Sequence, residues 1–203
     1  MRRKCNFIVI PILVAFLLVA LAPAAKAAEA GPFYVGVFGA YVMPRDLELS
    51  GGGESVDVKL KDSWALGAKF GFIIPAFKWV AAEVEYNHAF KQDIDEAGVS
   101  GDVTADNAMV NILGRYPEGM FRPYVGFGGG WSWIKFKASD GVDSFSKSDS
   151  AFAWQILAGL NIEITPQWSA DVGYRYIQAK YSIEDVDVTS KNHVILIGVN
   201  FHF

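Results

Sequence analysis

The chain has 203 residues, with 18 basic and 22 acidic side chains, 3 histidines and one cysteine, for a net charge of −4. That balance argues against a nucleic-acid backbone as partner, and a lone cysteine, Cys5, excludes a disulfide framework or a Cys-ligated metal. After the first apolar run no segment is long enough for a membrane helix, so the remainder could cross a bilayer only as a β-barrel.

Arg2, Arg3 and Lys4 precede the apolar run FIVIPILVAFLLVALA, and AKA at 25–27 supplies the small residues that a signal peptidase reads. Residues 1–27 are therefore expected to be a secretory signal peptide. A retained transmembrane helix is the rival reading; Pro11, Pro23 and the small-residue box favour cleavage near Ala27. Losing Arg2, Arg3, Lys4 and Lys26 leaves 14 basic residues against 22 acidic ones, a net charge of −8. Residues 28–203 then form one domain.

Eight alternating runs follow, at about 33–43, 63–73, 79–89, 104–116, 122–135, 152–164, 168–178 and 193–203. Period-2 alternation marks strands with two unlike faces. The second run sets Trp64, Leu66, Ala68, Phe70 and Phe72 against Ala65, Gly67, Lys69 and Gly71. In the third, Val80, Ala82, Val84 and Tyr86 oppose Glu83, Glu85 and Asn87. The sixth sets Phe152, Trp154, Ile156, Ala158, Leu160 and Ile162 against Gln155, Gly159, Asn161 and Glu163. In the seventh, Trp168, Ala170, Val172, Tyr174 and Tyr176 oppose Ser169, Asp171, Gly173 and Arg175.

The connections are sorted. IPAFK, PEGMF and TPQ follow the second, fourth and sixth runs as tight, proline-bearing turns. PRDLELSGGGESVDVKLKD, KQDIDEAGVSGDV, KASDGVDSFSKSDS and AKYSIEDVDVTSK follow the odd runs and are read as long, acidic loops. Short turns on one side and long loops on the other suit a transmembrane barrel. Each run has roughly the 9–11 residues a tilted strand needs to cross hydrocarbon. Trp64, Trp79, Trp131, Trp133 and Trp168 are candidates for the interfacial girdles. A soluble lipocalin-like barrel would share the alternation with its faces inverted. Glycine on the polar face, at Gly36, Gly67, Gly71, Gly126, Gly128, Gly130, Gly159, Gly173 and Gly198, favours the membrane form, because a narrow lumen filled by long polar side chains needs such relief.

The ordered set GPFYVGVFGAYV, WALGAKFGF, VAAEVEYNHAF, RPYVGFGGGWSW, ADVGYRYIQAKY and VNFHF resembles the OmpA-like small outer-membrane β-barrels, of the OmpX and Ail type. The resemblance spans everything after the signal peptide. It implies an all-β, eight-stranded antiparallel up-and-down barrel in the outer membrane, with no peptidoglycan-binding domain after the last strand. It also implies that Ile197, Val199, Phe201 and Phe203 match the ending that the barrel-assembly machinery is thought to read. Outer-membrane lipids and lipopolysaccharide are the other expected partners. No nucleic acid and no cofactor are expected, the extracellular partner is left open, and a monomer is expected.

Small outer-membrane barrels include enzymes, some of which use a His and a Ser near one rim. His88 and His193 are expected near the outer rim; Ser182 and Ser190 are the candidate hydroxyls near His193, but no local motif supports either as a nucleophile. His202 faces the lumen, without companions for a transition metal. Asp93, Asp95, Glu96, Asp140, Asp143, Glu184, Asp185 and Asp187 have no calcium-loop spacing and read as solvated acids. The expected function is a structural and surface-interaction protein, with a small-solute channel as alternative and a lipid-modifying enzyme behind both. Eight strands leave an interior that side chains can fill. Lys69, Glu83, Glu85, Arg115, Glu163, Asp171 and Arg175 are expected to fill it, with Asn111, Gln155, Asn161 and Asn200 between them. Counting from the turns puts Lys69 opposite Glu83 and Asn161 beside Asp171, with Lys69, Glu83, Glu85 and Arg115 as one network.

Overall fold

A computed structural model describes residues 31–51, 54–58, 62–96, 99–139, 144–183 and 186–203. The signal-peptide reading lies outside these residues, and so do the side chains of the eight loop acids named above and of Ser182. The described residues form β1 (Phe33–Gly51), β2 (Glu54–Val58), β3 (Ser63–Ile73), β4 (Val80–Glu96), β5 (Val99–Arg115), β6 (Phe121–Ser139), β7 (Ser144–Glu163), β8 (Trp168–Ile183) and β9 (Val186–His202). β1 and β3 to β9 pair antiparallel in chain order, and β1 also pairs with β9, which closes an eight-stranded barrel. Closure leaves the barrel without an unpaired edge. β2 pairs with the outer part of β1, Gly51 against Glu54 and Leu47 against Val58.

The eight barrel strands are those the alternation marks, but their bounds differ. On the long-connection side the strands run well past the expected ends: β4 reaches Glu96 opposite Val99, β6 pairs Ser139 with Ser144, and β8 pairs Ile183 with Val186. Much of what reads as loop is therefore extended hairpin. The reason is that ladder hydrogen bonds use the backbone, which Ser, Asp and Gly supply as well as Val. β1 shifts register against β9 between Arg45 and Glu48, and β4 against β5 between Ala89 and Gln92. Such bulges bend a strand near a barrel rim.

At the other end the turns are tight. Phe77 N–H donates to Ile74 O at 2.9 Å and Val80 N–H to Phe77 O at 2.8 Å. Gly119 has φ +79°, the left-handed region that favours glycine, and its carbonyl accepts from Arg122 Nε at 3.0 Å.

The outward face is apolar: Val37, Phe70, Val84, Val110, Ile112, Val125, Phe127, Ile156, Val172, Ile195, Ile197 and Val199 are all exposed. On a water-soluble surface so continuous a patch would be an anomaly; around a barrel it is the lipid-facing band. Trp79 and Phe77 (ring centroids 6.0 Å apart) and Trp168 and Phe201 (5.0 Å) mark the short-turn level. Tyr41 and Trp64 (5.1 Å) and Trp131 and Phe152 (6.0 Å) mark the other.

The inward face departs from a uniformly polar lumen. It is polar around Lys69, Glu85 and Asp171, but toward the long-connection end it is lined by Phe38, Ala40, Val42, Ala65, Ala89, Ile177 and Val194, all buried. These residues sit at inward positions of the same alternation; being apolar or small, they do not stand out from their outward neighbours in sequence. Gly67 and Gly71 face two inward aromatic rings. A Cβ at Gly67 would collide with the Phe38 ring, and one at Gly71 with the Tyr34 ring.

Candidate functional site

The lumen is crossed by ion pairs. Arg175 on β8 bonds Glu85 on β4, and Lys69 on β3 bonds Asp171 on β8 and lies 3.4 Å from Glu83 Oε2. Relative exposures are 8 % for Lys69 and 4 % or less for Glu83, Glu85, Asp171 and Arg175, so these charges have left bulk water. Buried charges persist when paired and hydrogen-bonded. Here the remaining lone pairs are largely used. Tyr124 donates its hydroxyl to Asp171 Oδ1 at 2.9 Å; Asn87 Nδ2 donates to Glu85 Oε1 at 3.1 Å and Asn111 Nδ2 to Glu85 Oε2 at 3.5 Å. Gln155 Nε2 donates to Asn111 Oδ1 at 2.7 Å, and Asn107 Nδ2 to Asn87 Oδ1 at 2.9 Å. The Arg175 guanidinium lies over the Phe38 ring, 4.6 Å from its centroid.

Two placements correct the sequence reading. The register sets Lys69 opposite Glu85, and Glu83 opposite Gly71. The turn between β3 and β4 is centred one residue later than the count assumed, and one residue at the centre moves the partner by two. Arg115 makes no ion pair with Glu83 or Glu85 among the described residues; Arg175 and Asp171 stand in the network with Lys69 and the two glutamates. Arg115 instead lines a small cavity of about 30 Å³ near the short-turn end with Arg122, Tyr34 and His202. Glu163 also lies apart from the centre, bonded to Arg122. Asn161 is the register partner of Asp171 and donates to Ser169 Oγ at 3.0 Å.

Near that end Ser169 Oγ also accepts from Asn200 Nδ2 at 3.2 Å and lies 3.0 Å from His202 Nε2. Two amide donors occupy the hydroxyl oxygen, so this buried Ser–His contact is structural in form. On the outer wall His88 Nδ1 and the Tyr86 hydroxyl both meet Asp106 Oδ1, at 2.7 and 2.6 Å. His193 Nδ1 meets the Tyr174 hydroxyl, and Ser190 Oγ accepts from Asn192 Nδ2 at 3.1 Å. The rim histidines thus have side-chain partners, neither of them a serine. Among the described residues no three His, Cys, Asp or Glu side chains gather as a metal site. Ile197, Val199 and Phe203 lie exposed on the outward face, and Phe201 is half-buried beside them.

Asn87, which the alternation sets on the polar face with Glu83 and Glu85, joins the site, and Tyr124, Asn107 and Phe38 belong to it without being among the expected residues. Inward parity on their strands was the signal available for each.

A family model described as outer membrane protein beta-barrel domain matches residues 12–203. No curated protein matches the chain in sequence. Among solved structures, Neisserial surface protein A is 19% identical with a TM-score of 0.57, over 87% of this chain and 100% of that one. The outer membrane protein OprG from Pseudomonas aeruginosa is 14% identical with a TM-score of 0.56, over 86% and 97%. The outer membrane protease OmpT from Escherichia coli is 8% identical with a TM-score of 0.54, over 88% and 99%. At these identities the likeness is one of fold.

Proposed function

Since the chain belongs to the outer membrane protein β-barrel domain family and is an outer-membrane protein, we propose that it serves as a structural and surface-interaction barrel whose lumen is closed to solutes. The observation that carries this reading is the pair of buried bridges, Arg175 to Glu85 and Lys69 to Asp171, strung across the interior. A water-filled channel belongs to much wider barrels. Interaction with other molecules is assigned to the hairpins at the long-connection end. β4 to β7 have 17 to 20 residues each, well beyond the roughly 9–11 that cross hydrocarbon, so these hairpins stand outside the bilayer and carry acidic sequence.

One neighbour in fold is a protease, so fold leaves catalysis open. We read this chain as non-catalytic because His88 and His193 are engaged by Asp106 and Tyr174, while Ser169 is buried and its oxygen is held by two amides.

Planar-bilayer recording of the purified protein tests the closed lumen. The expected record shows no steady conductance, with openings appearing once Arg175 and Glu85 are both replaced by Ala. A steady, large conductance that those replacements leave unchanged would make the protein a channel.

A further inference from the structure

On the outward wall a groove of about 450 Å³ lies across β4 to β7, lined by Tyr86, Asp106, Trp133, Lys135, Ser148 and Ser150. The strand register fixes its height. Trp131 pairs with Phe152 in the aromatic level of the long-connection side. Asp106, Trp133 and Ser150 are successive partners one step of two residues farther out, and Thr104, Lys135 and Ser148 are one step beyond those. Two residues of a strand tilted by about 40° advance roughly 5 Å along the barrel axis. Trp131 belongs to the interfacial belt, so the groove lies among lipid headgroups. Asp106 and Trp133 stand on its bilayer side and Lys135 on its outer side.

Three groups in the groove are unspent. Trp64, Trp79, Trp131, Trp154 and Trp168 each lie against another ring, but Trp133, 40 % exposed, has none beside it among the described residues. Tyr86 and His88 both meet Asp106 at Oδ1, which leaves Oδ2 without a partner among the described residues. Lys135 makes no ion pair with a described residue; it is a diagonal neighbour of Asp106 that does not bridge to it. An open ring face, a free carboxylate oxygen and a free ammonium thus converge on one space, with two serines beside them.

We infer that this groove seats the headgroup of an acylated sugar phosphate from the leaflet on the long-connection side. The apolar face of the sugar ring lies on Trp133, a ring hydroxyl donates to Asp106 Oδ2, and the phosphate meets Lys135 and Ser148. The order of the charges selects this headgroup. In a glycerophospholipid the phosphate stands next to the acyl chains and any ammonium lies beyond it. The phosphate would then face Asp106 and the ammonium Lys135, and both meetings are repulsive. A sugar that carries its acyl chains directly, with the phosphate on its far side, presents neutral hydroxyls to the carboxylate and its anion to the lysine. The site rests on the surface-interaction reading, to which it gives a lipid partner, and it is independent of the lumen.

The test uses the full barrel in phosphatidylcholine nanodiscs. Diacylglucosamine phosphate, diacylglucosamine or phosphatidylethanolamine, of equal chain length, is added in rising mole fraction. The readout is the indole N–H resonance of Trp133, assigned by its loss in Trp133→Phe. Diacylglucosamine phosphate is expected to shift it saturably, at about a tenfold lower mole fraction than either other lipid, the worth of one charge-assisted hydrogen bond. Lys135→Gln should bring that lipid to the level of diacylglucosamine and leave diacylglucosamine itself unchanged, whereas Asp106→Asn should weaken both sugar lipids alike. If Asp106→Asn does not fold, the lipid comparison on the native barrel and on Lys135→Gln decides the matter. A shift that does not saturate, or equal shifts by all three lipids, would reduce Trp133 to an ordinary interfacial residue and overturn the site. A preference for phosphatidylethanolamine, or a loss in Lys135→Gln that is equal for both sugar lipids, would overturn it as well. A conducting barrel that kept the preference would sink the closed lumen and leave the site standing; a closed barrel without the preference would do the reverse.

Discussion

Arg175 and Glu85 stand on strands four places apart around a barrel of eight, yet their side chains meet. β8 and β4 are diametrically opposed, so this single bridge spans the full width of the lumen. Lys69 and Asp171 also meet across the lumen, from strands three places apart. A contact of this kind ties together walls that share no backbone hydrogen bonds.

The first prediction concerns the unequal standing of the two glutamates. Glu85 bonds Arg175 and accepts from Asn87 and Asn111, whereas Glu83 accepts from the Tyr34 hydroxyl and has its cation, Lys69, only at 3.4 Å. Glu85→Ala is expected to destabilise the barrel by about 3–5 kcal/mol, because it leaves a buried guanidinium unpaired, and Glu83→Ala by less. Urea unfolding in lipid vesicles, followed by tryptophan fluorescence, measures both. Equal costs would mean that the layer is wet.

Tyr124 gives a narrower test. Its hydroxyl donates to Asp171 Oδ1, whose other oxygen is held by Lys69. Tyr124→Phe keeps the ring and removes one charge-assisted bond, so a loss of about 1.5–3 kcal/mol is expected in the same assay. A neutral result would show that water replaces the hydroxyl.

Packing of the inward aromatics can be read through glycine. Gly67→Ala drives a methyl into the Phe38 ring, and overpacking of this kind costs about 1–3 kcal/mol. Paired with Phe38→Ala, the same substitution should cost much less than the sum of the single changes. Additive costs in this double-mutant cycle would place the ring elsewhere.

On the outside, Val172 lies in the lipid-facing band, opposite Ile197. Val172→Arg is expected to cost about 2–4 kcal/mol near the midplane. Measured indifference to this charge would mean that the faces are reversed.

How far the sequence reveals this arrangement follows from what is local. Alternation assigns Lys69, Glu83, Glu85, Asp171 and Arg175 to the inward face, because parity along a strand is a property of the strand alone. Short turns give the hairpin partners, to within the one-residue error that misplaced Lys69 against Glu83. Partners across the lumen depend on the stagger accumulated around the whole barrel, and no stretch of sequence contains it. Arg115 and Arg175 share inward parity, but Arg115 on β5 lies six residues from Met109, the register partner of Glu85, whereas Arg175 meets Glu85 across the lumen from β8. The apolar part of the inward face, with Ala40, Ala65 and Ala89, is hidden for another reason. Small apolar residues on an inward face look like any others, and the space they leave exists only once eight strands stand together.

The pairing of β1 with β9 sets the order in which such a molecule can be assembled. Every other barrel contact between neighbouring strands joins segments linked by a short hairpin or a single connection, but Val37 meets Val199 across some 160 residues of intervening chain. At about 0.6 kcal/mol per doubling of loop length, bringing those two together costs about 2.4 kcal/mol more than closing a ten-residue hairpin. The seam is thus the slowest join to make. Until it forms, both outer strands present unpaired backbone groups that hydrocarbon cannot satisfy. Insertion and closure are for that reason one event: the sheet can ripen hairpin by hairpin, but it becomes a membrane protein only when its first strand finds its last.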